Sequence, residues 1–507
     1  MDETRTTGEG LTLSALRGVQ WSSVATGTNI VLQIGFTAVM ARLLDPETYG
    51  LIAIANVVVR CGTYFAQMGI GQAIVQARSL NQKVIGSGFT ASIGFGITFC
   101  ALVQLIASPA AIFFGDERLE PVVRWLSLSF VTSAIGSTSV ALLKRKLDFK
   151  SIARIDIASY AIGYGCTGAI LAMSGFGVWS LVCASLGQSF LASIMAYLRE
   201  RHPLRLSFDW RSYQPFLMFG GTVSIISFLE FAGSSLDSAA IGFFEGTSSL
   251  GIYNRSFMLV YLPAYAFTTS VSRVLFPLFS KIQSDKNRLA DGFLSSLSLV
   301  SVVIVPACFG MAICAKEIVV SVLGDNWFAC VELLPILSLV ILFRMVSHLG
   351  GVLCDATANL ARKVWLQVGY LVTLSVSFGL MRGYGLKGFA LALLLTESGL
   401  FIGYTFAVRS VLSIQLRAIL HPYLLSTRIG ILSAGAIGAA LLVLNMFPVH
   451  MTIRLVIAMV IGAATLGVQL LVVPSKAVAM LFERVTSVNF GNSSLGSRLH
   501  AIIDVVR

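Results

Sequence analysis

VVRWLSLSFVTSAIGSTSVALLKRKLDFKSIARIDIASYAIGYGCTGAILAM, residues 122–173, holds the pattern that decides the fold. An apolar run from Val122 to Leu143 gives way to the basic cluster Lys144, Arg145, Lys146, Lys150 and Arg154, and a second apolar run follows from Ile157 to Met173. A hydrocarbon layer about 30 Å thick is crossed by roughly 20 residues of helix rising about 1.5 Å each. Each run is long enough to span a bilayer, and the cluster between them reads as a loop on one side.

Outward from this stretch the pattern repeats along the whole chain. Apolar runs of about 17 to 28 residues occur fourteen times, the first seven from Val19–Ala41 to Phe216–Phe243 and the second seven from Ile252–Ser272 to Leu455–Val473. The 507 residues are 56% hydrophobic and only 12% charged, with mean hydropathy +0.83, whereas a soluble domain carries about 25% charged residues. The expected fold class is therefore all-α, a polytopic membrane protein of fourteen transmembrane helices.

The basic residues orient it. If the N-terminus, every second gap and the C-terminal tail share one side, that side holds 26 Lys and Arg, and the other holds Arg42, Arg118, Lys316, Arg382, Lys387 and Arg454, with Arg124 just inside a run. Cationic loops stay on the cytoplasmic side, so both termini are expected there. The net charge of +12 then reflects loops facing anionic headgroups, and nucleic acid is not an expected partner. The first fifteen residues, with Asp2, Glu3 and Glu9, do not read as a cleaved signal peptide. The eight cysteines, lacking a CxxC or metal-ligand spacing, read as apolar fillers, and His348 as hydrogen-bonded packing.

Two sequence echoes suggest an internal repeat. Gly175-Phe176-Gly177-Val178 recurs as Gly383-Tyr384-Gly385-Leu386, and LLDPETYGLIA from Leu43 is echoed by FFEGTSSLGIY from Phe243, aligning Gly50 with Gly251. Both offsets equal about six helices, an even number, which keeps the two copies in one orientation. The expected organisation is a cytoplasmic N-terminus over 1–18 and an N-lobe of helices one to six over 19–198. A cytoplasmic linker over 199–215 leads to a C-lobe of helices seven to twelve over 216–408. Helices thirteen and fourteen with their preceding loop occupy 409–473, and a cytoplasmic tail 474–507.

Candidate chemistry lies inside the runs. The short extracytoplasmic gaps offer no outer domain, and no phosphate loop, HExxH helix or GxSxG turn is present, so neither an enzyme nor a cofactor is expected. A charge at mid-helix costs about 2.5 to 3.5 kcal/mol and usually faces a bundle interior or a watery cavity. Arg60, Arg255 and Arg344 are such cations; Glu230, Asp237 and Glu397 are such carboxylates. Guanidinium groups suit an anionic substrate because they stay charged and hold two oxygens at once. The carboxylates suit ion coupling or sugar binding. The competing reading is that the charges pair off, as Arg255 with Asp237 on neighbouring helices. Pro263, Pro306 and Pro335 mark kinks in three helices, static or hinged.

The blocks ARLLDPETYGLIAIANVVV (from Ala41), GIGQAIVQ (from Gly69), LLKRKLDFKSIARIDIAS (from Leu142), GFGVWSLV (from Gly175), IGFFEGTSSLGIYNRS (from Ile241) and VLFPLFSKIQSD (from Val274) carry a family likeness. Through them the chain resembles the polysaccharide-transport branch of the multidrug/oligosaccharidyl-lipid/polysaccharide exporter superfamily. These are Wzx-type flippases, here of the subgroup associated with exopolysaccharides such as colanic acid and succinoglycan. The resemblance implies alternating access of two six-helix lobes around a cationic cavity in the bacterial cytoplasmic membrane. It implies an undecaprenyl-diphosphate-linked oligosaccharide as substrate, with membrane lipids, a polysaccharide polymerase and chain-length or export proteins as partners. Asp237 and the Gly251, Tyr253, Asn254, Arg255 stretch fall in a family block, whereas Arg60, Arg344 and Glu397 match none. Three other readings stay open: a cation-coupled drug or metabolite antiporter, a peptidoglycan-precursor flippase, and, more distantly, a membrane polysaccharide polymerase.

Overall fold

The computed structural model describes residues 8–67, 74, 82–204, 231, 233 and 235–472, and among them the regular structure is entirely helical. Helix is what a membrane demands, because a span in lipid must satisfy its own backbone N–H and C=O groups. In chain order the long helices are α1 (Gly8–Leu43), α2 (Pro46–Gln67), α3 (Gln82–Phe114), α4 (Leu119–Arg145), α5 (Phe149–Met173), α6 (Val178–Arg199) and the short apolar α7 (Ser235–Phe244). They continue as α8 (Gly246–Ile282), α9 (Lys286–Ile313), α10 (Cys330–Ala356), α11 (Leu360–Met381), α12 (Gly385–Leu412), α13 (Leu416–Leu444) and α14 (Met451–Val472). Most of the seventh expected run, most of the linker and all of the tail lie outside the described residues. By length and composition, nine helical stretches among the described residues can cross a membrane, so the chain is a multi-pass membrane protein.

The residues around the opening stretch show why the helices begin where they do. Asp148 caps α5 by accepting from the Ser151 amide at 3.1 Å and from the Ser151 hydroxyl at 2.7 Å, and Arg199 reaches it at 3.3 Å. These donors, Ser151 foremost, hold the Asp148 carboxyl below its usual range. Asp45 caps α2 in the same way, accepting from the Thr48 amide at 2.9 Å, and Pro46 occupies the first helical position, where a missing N–H costs nothing. His202 is buried beside the rings of Phe89 and Tyr197, and that burial pushes its pKa down.

The chain divides into two compact units, Met1–Arg255 and Ser256–Arg507. In the first, α4 packs on α3 and α6, and α5 packs on α6. In the second, α10 packs on α9 and α12, and α11 packs on α12, the same neighbours six helices later. The turn glycines follow the same offset: Gly177 and Gly385 both adopt positive φ, 53° and 60°. Helix α13 packs along α9 and α14 along α13, and α14 leaves Ile453, Val456, Met459 and Val460 exposed. An apolar face of that kind suits lipid rather than water.

Two backbone details go beyond the sequence expectation. Helices α8, α9 and α10 run on through Pro263, Pro306 and Pro335, so none of the three prolines ends a helix; a proline removes one backbone donor, and the adjoining turns continue regardless. Among the described residues α5 also carries an irregular stretch, its middle, Ser159–Cys166, being π-helical.

The second echo acquires a physical meaning. A Cβ on Gly50 would lie 1.6 Å from the Thr247 carbonyl oxygen, and a Cβ on Gly251 would lie 1.8 Å from that of Pro46. Each glycine thus meets the residue one turn before the other, and α2 and α8 cross in backbone contact. Replacing Gly50 or Gly251 by Ala is expected to cost at least about 1 to 3 kcal/mol, whereas Gly369→Ala, which has open space around it, should be neutral. Thermal unfolding of the purified protein in detergent checks this; equal melting temperatures would refute the crossing.

Candidate functional site

The clearest constellation of charge stands in the second unit. Helix α10 supplies Arg344, α11 Tyr370 and α12 Glu397, and the packing of α12 on both α10 and α11 brings them together. Arg344 donates to Glu397 Oε1 through Nε at 2.7 Å, with Nη2 2.6 Å from the same oxygen. Tyr370 donates to that oxygen at 3.2 Å and accepts from Arg344 Nη2 at 3.3 Å. Beneath the guanidinium lies the Phe257 ring of α8, its centroid 5.3 Å away, a cation–π contact.

The pair is asymmetric. The Arg344 side chain is 23% exposed and that of Glu397 only 2%. Every donor converges on Oε1, and the buried Oε2 has no hydrogen-bond partner among the described residues. The arginine can meet an incoming group, while the carboxylate lies behind it.

The first unit places the other charges. Arg60 is exposed on α2 and forms no ion pair among the described residues. The Arg255 guanidinium sits 4.3 Å from the Tyr49 ring centroid. This follows from the glycine crossing, since Tyr49 precedes Gly50 and Arg255 is one turn after Gly251 on the same face of α8. The field of Arg255 also reaches Tyr160 and Tyr164, which stack at 5.1 Å in the π-helical segment.

The Arg255–Asp237 pair of the competing reading is not among the ion pairs of the described residues. Asp237 is buried and accepts instead from the Tyr253 hydroxyl and the Ser238 amide, both at 2.7 Å. Tyr253 and Arg255 stand two residues apart, about 200° around the helix, so one carboxylate faces only one of them. Glu230 lies outside the described residues. His348 shares a 3.1 Å hydrogen bond with Ser272, the packing role expected of it.

Sequence reasoning passed over Tyr49, Phe257 and Tyr370 and placed Tyr253 only in a family block, without pairing it with Asp237. For Tyr253 and Tyr370 the available signal was a tyrosine hydroxyl inside an apolar run, which needs a buried partner. Outside the spans, Arg118 links Asp116 to Glu47, and its hydrogen bond holds the Asp116 carboxyl below the usual range.

Removing one member of a buried ion pair strands the other. Arg344→Met is expected to destabilise the protein by about 3 to 5 kcal/mol, and Arg344→Met with Glu397→Leu to recover most of the loss. Thermal unfolding in detergent reads both variants, and a double variant no more stable than the single one would refute the pairing.

Comparison with known proteins sets this geometry in a family. Residues 39–332 match the family described as polysaccharide biosynthesis protein. The chain is 27% identical over 350 residues to the lipopolysaccharide biosynthesis protein WzxC of Escherichia coli (strain K12), covering 68% of this chain and 70% of that one. It is 25% identical over 480 residues to the teichuronic acid biosynthesis protein TuaB of Bacillus subtilis (strain 168), covering 89% and 94%. Over 332 residues it is 25% identical to the succinoglycan biosynthesis transport protein ExoT of Rhizobium meliloti (strain 1021), covering 64% and 65%. Among solved structures, the lipid II flippase MurJ in an inward closed conformation superposes with a TM-score of 0.70 at 14% identity, covering 92% of this chain and 99% of that one. An inward-facing multidrug resistance MATE transporter of the MOP superfamily gives 0.59 at 13% identity, covering 76% and 94%. The fold is that of the MOP-superfamily transporters, and the resemblance drawn from the sequence is borne out. With more than half of its length matched by the family, this chain belongs to the polysaccharide biosynthesis protein family.

Proposed function

We propose that this protein is a flippase that translocates an undecaprenyl-diphosphate-linked oligosaccharide repeat unit across the bacterial cytoplasmic membrane for exopolysaccharide, O-antigen or capsule assembly. The observation that carries this reading is a family match joined to a partly exposed guanidinium, Arg344, inside a membrane-spanning helix. A guanidinium inside a span is costly in lipid, and the exposed part of Arg344, beyond its internal partner Glu397, can hold an oxyanion of the substrate. The names of WzxC, TuaB and ExoT point to the same class of process.

In this reading the chain has fourteen spans, with both termini cytoplasmic and the lobes at 19–198 and 216–408. The coverage of MurJ, greater than that of the MATE transporter, supports two helices beyond the twelfth. Arg60, Arg255 and Arg344 meet the diphosphate or an acidic sugar; Glu230, Asp237 and Glu397 serve the sugar or a coupling ion. Arg60 is the readiest of the cations, being exposed and outside any ion pair among the described residues. Transport by alternating access needs no cofactor and makes no covalent bond. A polymerase and chain-length or export proteins would receive the repeat unit on the far side.

Deletion of the gene is expected to leave the lipid-linked oligosaccharide at the inner face of the membrane; transported but unpolymerised units at the outer face would overturn the reading. Arg60→Ala should lower export about tenfold or more with normal abundance in the membrane, the loss of one charged hydrogen bond. Unchanged export in that variant removes Arg60 from the site.

A further inference from the structure

Helix α8 carries a column of three rings. Phe257 and Tyr261 stack with centroids 5.3 Å apart and planes inclined by 21°, and Tyr261 and Tyr265 stack at 5.1 Å and 24°. Their spacing of four residues produces this, since side chains at i and i+4 lie one above the other on a helix. Arg344 of α10 stands 5.3 Å from the centroid of Phe257, at one end of the column. At the other end Tyr265 is 42% exposed.

Tyrosine belts collect at the two membrane–water interfaces, whereas Tyr261 lies near the middle of the run Ile252–Ser272. Nor is the column turned to lipid, because the strip of α8 that bears it meets two polar side chains of α10. Arg344 meets Phe257, and His348 hydrogen-bonds Ser272 at 3.1 Å. Phe257, Tyr261, Tyr265 and Ser272 fall within about 80° of one another around the helix, so Tyr265 shares a face with both contacts and stands between them along α8. Ser272 donates its hydroxyl to the Thr268 carbonyl at 2.8 Å, so His348 Nε2 is the donor in their bond. The other nitrogen of this exposed imidazole can meet a further hydroxyl.

A guanidinium, a ring column and a polar rim in line match a ligand with an anion at one end and sugars at the other. A pyranose has a C–H face that packs on an aromatic ring and a rim of hydroxyls that needs hydrogen-bond partners. We propose that the α8 column is a saccharide subsite: with the diphosphate of the lipid-linked oligosaccharide at Arg344, a sugar ring of the same molecule lies against Tyr265 and turns its hydroxyls toward His348. This inference rests on the assignment of Arg344 to the substrate and adds which residues take the uncharged part of it. From Phe257 to Tyr265 the helix rises roughly 12 Å, so a sugar beyond the first is the one that stacks. Stacking engages ring faces rather than particular hydroxyls, and the subsite therefore accepts more than one hexose.

The test uses the full chain in lipid nanodiscs and three radiolabelled probes: undecaprenyl diphosphate alone, and the same lipid carrying a disaccharide of glucose or of galactose. Wild-type protein is expected to bind both sugar-bearing probes about tenfold more tightly than the bare lipid. Tyr265→Leu, apolar but without a ring, should abolish that gain and leave affinity for the bare lipid unchanged, and Tyr265→Phe should keep most of it. Arg344→Gln should weaken all three probes alike. Sugars that add nothing to wild-type affinity, or a gain that survives in Tyr265→Leu, overturn the subsite. So does a Tyr265→Leu variant that loses affinity for bare and sugar-bearing lipid equally, the mark of a lipid contact or a packing role. Binding of all three probes untouched by Arg344→Gln overturns instead the assignment of Arg344 on which the inference rests.

Discussion

Water is absent from the interior of a bilayer, and this chain answers that constraint twice, once for its backbone and once for its charges. The backbone answer is helix after helix, each pairing its own polar groups. The charge answer is local. Arg344 cannot stand in hydrocarbon alone, so α12 brings Glu397 against it and α11 brings Tyr370. The two answers depend on one another, since rigid helices hold the side chains of Arg344 and Tyr370 on a single oxygen of Glu397.

The crossing of α2 and α8 shows how little side chain such packing needs. In lipid there is no hydrophobic gain from pressing one apolar helix against another, so close approach of backbones does the work, and small residues permit it. Gly50 and Gly251 are the points of approach, and each meets the partner's preceding turn. The reciprocity has a functional side. Tyr49 and Arg255 flank the crossing and are brought to 4.3 Å by it, so a packing feature of the backbone also places a cation.

What was legible in the sequence, and what was not, divides along physical lines. The helices were legible because a span has a length and a composition, and because basic residues collect in alternate gaps. Intramembrane charges were legible because each is an exception to its surroundings. Their partners were not. The pairing of Arg344 with Glu397 depends on α10 lying beside α12 and on the rotation of each helix about its axis, and an apolar sequence contains neither. Sequence proximity pointed to Asp237 with Arg255, yet the carboxylate faces Tyr253, on the far side of the helix from Arg255. The π-helical turn of α5 was equally hidden, since Ser159–Cys166 reads like the rest of its run. The glycine echo was visible as turn chemistry, but its meaning as a contact appeared only with the second helix in place.

A transporter must bind its substrate without trapping it, and the Arg344–Glu397 pair suits that requirement better than a bare arginine would. A guanidinium with no internal partner would hold a diphosphate or a carboxylate by the full strength of a poorly solvated ion pair. An internal carboxylate lowers the net gain to the difference between two similar interactions, and exchange of one anion for another needs no fully uncompensated charge at any stage. The exposure of Arg344 and the burial of Glu397 give that exchange a direction: the ligand can leave, and the competitor stays. Arg60, exposed and outside any ion pair among the described residues, carries no such brake. In the proposed function the two arginines, alike in sequence context, take different steps, Arg60 capture and Arg344 a hold that can be released.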